Sequence, residues 1–151
     1  MASVMIREMT TDDINEVIDL KQLCYPTDNA LSYTFFQRNL NRSNSPHLFW
    51  VAVVNSNIVG LSGCEFDRIF QVVYVSFVMV HPEWRRKNIG SQLTQSILSV
   101  IKKRSVMAYI RASNSVAELL FQKLNFKHSG THEKYFRDPV EDAKIMVKET
   151  L

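Results

Sequence analysis

Val78-Met79-Val80-His81-Pro82-Glu83-Trp84-Arg85-Arg86-Lys87-Asn88-Ile89-Gly90-Ser91 joins two runs of different periodicity. Before it, Val72 to Val80 is almost wholly apolar, the pattern of a strand covered on both faces, and Pro82 stops it. After it, Leu93, Ile97, Leu98 and Ile101 recur at helical spacing in a segment opened by Gly90. The order is strand, basic turn, helix N-terminus. Such a terminus presents backbone N–H groups without intrahelical partners at the positive end of the macrodipole, and Arg85, Arg86 and Lys87 add formal charge. The stretch predicts a cradle for a pyrophosphate. A solvated basic helix cap is the plainer reading of the three cations taken alone. No Gly-Lys-Ser/Thr follows, so this is not a Walker loop, and the three-glycine dinucleotide fingerprint is absent.

The totals set the frame. A chain of 151 residues predicts one domain, 1–151, able to bury about two thirds of its unfolded surface. With 46% hydrophobic and 22% charged residues it has the composition of a globular protein, and a net charge of +3 suits an anionic ligand without arguing for direct nucleic-acid binding. Cys24 and Cys64 stand far apart, with no CxxC or Cys/His grouping, so neither a disulfide scaffold nor a zinc site is expected. His81, His128 and His132 lack metal-ligand partners at suitable spacing and read as surface or loop residues; no metal is implied. No apolar run reaches membrane-spanning length, and the amino terminus has no long apolar core, which predicts a cytoplasmic protein without membrane contact.

Taken in order, Met5 to Met9 reads as a strand, and Thr10-Thr11-Asp12-Asp13 supplies caps for a helix carrying Ile14, Val17, Ile18 and Leu20 to Leu23. Tyr25 to Asn29 is a loop, Ser32 to Leu40 a short helix, and Asn41 to Pro46 a second loop. Leu48 to Val54 and Ile58 to Phe66 form a hairpin about Asn55-Ser56-Asn57. Beyond the basic turn and its helix, Val106 to Ala112 is a strand. Ser113-Asn114-Ser115 caps a helix with Val116, Leu119, Leu120 and Leu124 on one face, closed by Asn125. Phe126 to His132 and Ala143 to Leu151 make a last antiparallel pair, and Lys102-Lys103-Arg104 suits a helix C-terminus.

Arg85-Arg86-Lys87-Asn88-Ile89-Gly90 resembles the cofactor signature Arg/Gln-x-x-Gly-x-Gly/Ala of the GNAT superfamily of acetyl-CoA-dependent N-acetyltransferases. It departs at Asn88, where the family has glycine; asparagine is among the residues that best tolerate positive φ. Arg111-Ala112-Ser113-Asn114, Phe121 to Phe126, and Tyr135-Phe136 with Glu141-Asp142-Ala143 extend the resemblance, the last being similar to the amino-terminal (Nα) acetyltransferases. The resemblance implies the α/β GNAT fold: a mixed, mostly antiparallel sheet flanked by helices, with two splayed parallel strands holding acetyl-CoA. It further implies direct attack by a primary amine in a ternary complex, most simply the α-amine of a protein or peptide. An auxiliary subunit or ribosome association belongs to the same family picture.

By the same resemblance, the backbone of Phe77, Val78 and Val80 pairs with the pantetheine arm. Arg85, Arg86, Lys87, Asn88, Ile89, Gly90 and Ser91 take the pyrophosphate. Asn114 bonds the pantetheine or simply caps its helix, and Phe121 replaces the tyrosine that the family commonly places near the cofactor sulfur. Tyr109 stands where relatives carry Glu or His. Tyr74 matches a tyrosine that serves as base in one eukaryotic subgroup, and both are candidates for proton handling, weighed against half-buried structural aromatics. Glu65 is a candidate water holder or an exposed strand acid. Tyr25, Pro26 and Thr27 would wall the pocket for the first substrate side chain, and Tyr135, on a loop, would bond the peptide backbone. The alternatives are acetylation of a lysine or small amine, and an acetyl-CoA-binding module that no longer catalyses, a reading kept open by Phe121 and Tyr109.

Overall fold

The computed structural model describes residues 3–26, 30–101 and 104–149. Seven strands alternate with four α-helices in the order β1 (Met5–Glu8), α1 (Ile14–Cys24), α2 (Tyr33–Leu40), β2 (His47–Val54), β3 (Asn57–Asp67), β4 (Val72–Val80), α3 (Ile89–Val100), β5 (Ser105–Arg111), α4 (Ser115–Lys123), β6 (Lys127–Phe136) and β7 (Glu141–Glu149). The sheet order is β1-β2-β3-β4-β5-β7-β6, with β4 and β5 parallel. This is the mixed sheet expected of the GNAT fold. Two compact units share it, one of Met1–Glu65 with Ser76–Val100 and one of Phe66–Val75 with Ile101–Leu151.

In the first unit β3 alternates between two helical layers. Leu61 joins a core with Ile14, Val17 and Leu20 of α1, Phe36 of α2, and Met79 of β4, while Ser62 donates its hydroxyl to Leu93 O of α3 at 3.3 Å. Two glycines permit close packing. A Cβ at Gly63 would lie 2.5 Å from Phe77 Cζ, and one at Gly60 would lie 2.9 Å from Leu93 Cδ1. The hairpin turns at Asn55 and Ser56, both with positive φ (49° and 66°), as a two-residue turn matching strand twist requires. An extra residue in β3 shifts the register between Ala52 and Val53, and the groups freed there are taken up: Ile58 N–H donates to Glu16 Oε2 at 2.6 Å, and Val59 O accepts His81 N–H at 2.8 Å. The second bond ties the exit of β4 to β3. Both cysteines are free thiols, and burial pushes Cys64 up to about 12.

The second unit buries Val106, Ala108 and Ile110 of β5 with Met146 of β7 on one face of its sheet, and Ala143 of β7 on the other. α4 ends in a Schellman motif: Phe126 N–H reaches Phe121 O, Asn125 N–H reaches Gln122 O, each at 2.9 Å, and Asn125 adopts φ 69°. Phe121 and Phe126 meet edge to face at 5.0 Å, closing that motif with an apolar contact. Here the helical face read from sequence is corrected, since Val116 and Leu119 are 78% and 66% exposed and the fully buried residue of α4 is Phe121. Caps, the Phe121–Phe126 contact and an ion pair of Glu118 with Lys144 (2.9 Å) hold the helix instead. The last strands are also longer than their apolar pattern suggests, and Tyr135 and Phe136 belong to β6 rather than to a loop. Thr27, Lys102 and Lys103 lie outside the described residues.

Arg7 and Asp13 make the best-formed ion pair of the first unit, Nη1–Oδ2 at 2.7 Å and Nη2–Oδ1 at 2.9 Å, and Thr10 N–H donates to the same carboxylate at 2.8 Å. The Arg7 hydrogen bond holds Asp13 below the usual carboxylate value of 3.8. A depressed folded-state value stabilises the fold above the unfolded value and loses that contribution as pH falls through the folded one. Asp13→Asn should therefore lower stability at pH 7 by about 1–2 kcal/mol, discounted for the exposure of Arg7, and by less at pH 3. Urea unfolding at the two pH values checks this; an equal loss at both would contradict it.

Candidate active site

The basic loop begins where β4 ends. His81 Nδ1 accepts Glu83 N–H at 3.1 Å and starts a 3-10 turn over Pro82–Trp84, after which Arg86 and Asn88 both take left-handed backbone, φ 64° and 65°. Two such residues two positions apart cup the chain, and Asn88 occupies the conformation that its side chain tolerates better than most. α3 then starts at Ile89, with Asn88 O accepting Gln92 N–H at 3.1 Å. The N–H groups of Ile89, Gly90 and Ser91 thus belong to the first turn, where no intrahelical carbonyl can take them. The Ile89 side chain is buried, so the loop presents backbone rather than bulk.

The three cations differ in what they do. Arg85 folds back, its Nε donating to Val80 O at 3.0 Å, with Nη2 3.9 Å from Cys24 Sγ. It buttresses the loop. Lys87 Nζ lies 6.0 Å from the Trp84 ring, and Arg86 and Lys87 are both exposed. Burial raises the Cys24 thiol, with Arg85 pulling it down as the smaller effect, and the thiol donates to Val80 O at 3.6 Å. Phe77, Val78 and Val80 are half-buried along β4, while Tyr25 and Pro26 are exposed at the end of α1. Glu65 lies 3.6 Å from His47 Nε2, and burial lowers that imidazole.

The second unit gathers aromatic side chains on the other face of its sheet. Tyr74 pairs in register through Met107, and Tyr109 through Ile145, so both project from the face opposite Val106 and Ala108. Their ring centroids are 6.3 Å apart. Tyr135 comes to 4.9 Å from Tyr109, and His132 lies 4.9 Å from Tyr135 and 6.4 Å from Tyr109. A bulge makes this possible: from His132 to Phe136 β6 spends four residues where β7 spends two. Lys134 takes φ 53° within it, and its freed N–H donates to Asp142 Oδ1 at 2.9 Å.

Arg111 and Glu141 brace the same region. Arg111 donates to Pro139 O and Arg137 O at 3.0 Å each, meets Glu141 Oε1 at 3.2 Å, and stacks over Phe136 at 4.6 Å. Glu141 Oε2 accepts Ser113 N–H at 2.6 Å, and hydrogen bonding by the Ser113 side chain first, then by its backbone, with Arg111 as a smaller cause, holds the carboxyl below the usual range. Asn114 caps α4, its Oδ1 accepting Ala117 N–H at 3.0 Å, and Phe121 is only 4% exposed. Of the residues read from sequence, then, Tyr74, Tyr109 and Tyr135 come together. Arg111 and Glu141 were read only as part of the family resemblance, and His132 only as a surface or loop residue, none of them with a role in the site. His128 and His132 are exposed strand residues, in keeping with the surface reading; the signal available for Arg111 was its two-residue spacing from Tyr109. Among the described residues no three His, Cys, Asp or Glu gather as a metal-ligand set, and no helix is long and apolar enough to cross a membrane.

Residues 14–126 match the profile of the acetyltransferase (GNAT) family. An N-alpha-acetyltransferase of Saccharolobus solfataricus is 29% identical over 157 residues, covering 95% of this chain and 91% of that protein. The cysteine-rich protein 2-binding protein of Mus musculus is 31% identical over 126 residues, which is 79% of this chain and 16% of that protein. The crystal structure of Arabidopsis thaliana NAA60 in complex with acetyl-CoA matches with a TM-score of 0.82 at 16% identity, covering 97% of this chain and 98% of that one. The last likeness bears on the fold alone.

Proposed function

The chain belongs to the acetyltransferase (GNAT) family, and on that premise we propose that it transfers acetyl from acetyl-CoA to the N-terminal α-amine of proteins or peptides in the cytoplasm. The observation that carries the finer reading is the similarity to an N-alpha-acetyltransferase along 95% of the chain. We propose one catalytic domain, residues 1–151. The basic loop fits a pyrophosphate: first-turn N–H groups of Ile89, Gly90 and Ser91, left-handed Arg86 and Asn88, and the exposed cations Arg86 and Lys87. Arg85 holds the loop to Val80. The backbone of Phe77, Val78 and Val80 and the amide of Asn114 are our candidates for the pantetheine arm, while Phe121, 4% exposed, is packed against Phe126.

Acetyl-CoA supplies the acetyl group as a thioester. The chain must provide a neutral amine, a donor for the carbonyl, and an outlet for the proton. An α-amine, with a reference pKa of about 8 against about 10.4 for lysine, demands a weaker base, and backbone N–H of β4 can serve the carbonyl. Tyr74 and Tyr109 are our candidates for handling the proton, and Tyr25, Pro26 and Tyr135 for contacting the peptide. Mass spectrometry of short peptides with free or blocked N-termini, incubated with protein and acetyl-CoA, tests this. Acetylation confined to free N-termini is the expected result. Turnover of blocked peptides at lysine, or of polyamines alone, would replace it with the side-chain or small-amine reading, and binding of acetyl-CoA without turnover would leave a non-catalytic module.

A further inference from the structure

We infer that His132 is the proton acceptor behind the tyrosine cluster, a positioning residue that acts through Tyr135 and Tyr109 during amine acetylation. This rests on the transferase reading above. A phenol has an ordinary pKa of about 10, too high for an efficient base near neutrality, whereas imidazole ordinarily titrates between pH 5 and 8. Tyr109, Tyr135 and His132 form a chain of rings with centroid steps of 4.9 Å. Register places them together independently. His132 pairs with Ala143 and Arg111 with Ala143, so His132 shares a sheet face with Arg111 and, two residues earlier on β5, with Tyr109. The bulge at Lys134, pinned by Asp142, brings Tyr135 onto that face. His132 is exposed and so exchanges protons with bulk water.

The charged groups around it are engaged elsewhere. On β5, Arg111 is held by Glu141 and the carbonyls of Arg137 and Pro139; on β7, Asp142 accepts Lys134 N–H and Lys144 pairs with Glu118. Glu133 and Lys134 flank His132 on its own strand. In the step, the substrate ammonium gives a proton to a tyrosine oxygen as that tyrosine gives its own toward His132, which becomes imidazolium. The neutral amine nitrogen then bonds to the acetyl carbon, the carbon–sulfur bond breaks, and the thiolate leaves with the second amine proton. Imidazolium returns its proton to water.

Steady-state kinetics on an N-terminally free peptide from pH 5.5 to 9, for wild type, His132→Gln and the control His128→Gln, tests the role. His132→Gln should lower kcat about tenfold at pH 7 with KM within twofold, lose the acid limb of the profile, and recover in part with added imidazole, while His128→Gln follows wild type. A kcat within twofold with the limb unmoved overturns the proposal, as does a rise in KM alone or an equal fall at every pH without imidazole rescue. Wild-type protein that binds acetyl-CoA but acetylates no peptide overturns the transferase reading, and this inference with it.

Discussion

Replacing Phe36 with alanine is expected to lower the unfolding free energy by about 3–5 kcal/mol, the cost of the lost transfer energy plus the cavity left behind. Phe36 is fully buried and is the one residue of α2 that is. Its ring meets Phe35, Phe49 and Phe77 edge-on at 5.4, 5.2 and 6.4 Å. An eight-residue helix has no stability of its own in water, so α2 depends on this anchor and on its cap, where Ser32 Oγ accepts Phe35 N–H at 3.1 Å. Measured against the roughly 5–15 kcal/mol that holds a domain together, the loss is large. It should also reach β4, because the tip of the Phe77 ring packs against Gly63 and the ring stacks on Phe49 at 6.0 Å with an interplanar angle of 11°. Without Phe36 that stack loses its third ring. Chemical denaturation of Phe36→Ala beside Phe36→Leu measures the effect; a loss below about 1.5 kcal/mol for alanine would mean that the core closes over the gap.

The fold was legible wherever periodicity and burial coincide. Leu93 and Ile97 announce an amphipathic helix because their apolarity matches their burial, and Val72 to Val80 is the strand expected, although only Val73 and Met79 in it are buried and its other apolar residues are half-buried. The pattern failed in two places for opposite reasons. α4 carries Val116 and Leu119 at core spacing yet exposes both, since its attachment runs through caps, Phe121 and an ion pair rather than through that stripe. β6, Lys-His-Ser-Gly-Thr-His-Glu-Lys-Tyr-Phe, is an exposed polar edge strand with no apolar alternation to reveal its length. His132 was hidden for that reason: its neighbours in space are set by a two-residue bulge and by pairing with β7. Tyr74, Tyr109 and Tyr135 were legible as positions, but their convergence depends on register. The basic loop was the clearest of all, because charge, a chain-breaking proline and the onset of helical spacing fall in one short run.

Asn88→Val should weaken acetyl-CoA binding about thirtyfold, whereas Asn88→Gly should stay within about threefold of wild type. Asn88 sits at φ 65°, where glycine is at ease, asparagine is tolerated, and a β-branched residue is a steric outlier. Forcing such a residue there costs about 1–3 kcal/mol, and each 1.4 kcal/mol is a factor of ten. The strain would not stay local. Asn88 O accepts the first helical bond from Gln92 N–H, so flattening the turn withdraws the start of α3 and moves the N–H groups of Ile89, Gly90 and Ser91 that the pyrophosphate would use. Arg86 at φ 64° cannot compensate, because it already occupies the same strained region. Arg85, bonded to Val80 O, fixes the other end of the loop. Calorimetric titration of acetyl-CoA into the three proteins separates the causes. If glycine weakened binding as much as valine, the asparagine side chain rather than the left-handed backbone would be what the loop requires, and the family's glycine at this position would not be interchangeable with Asn88.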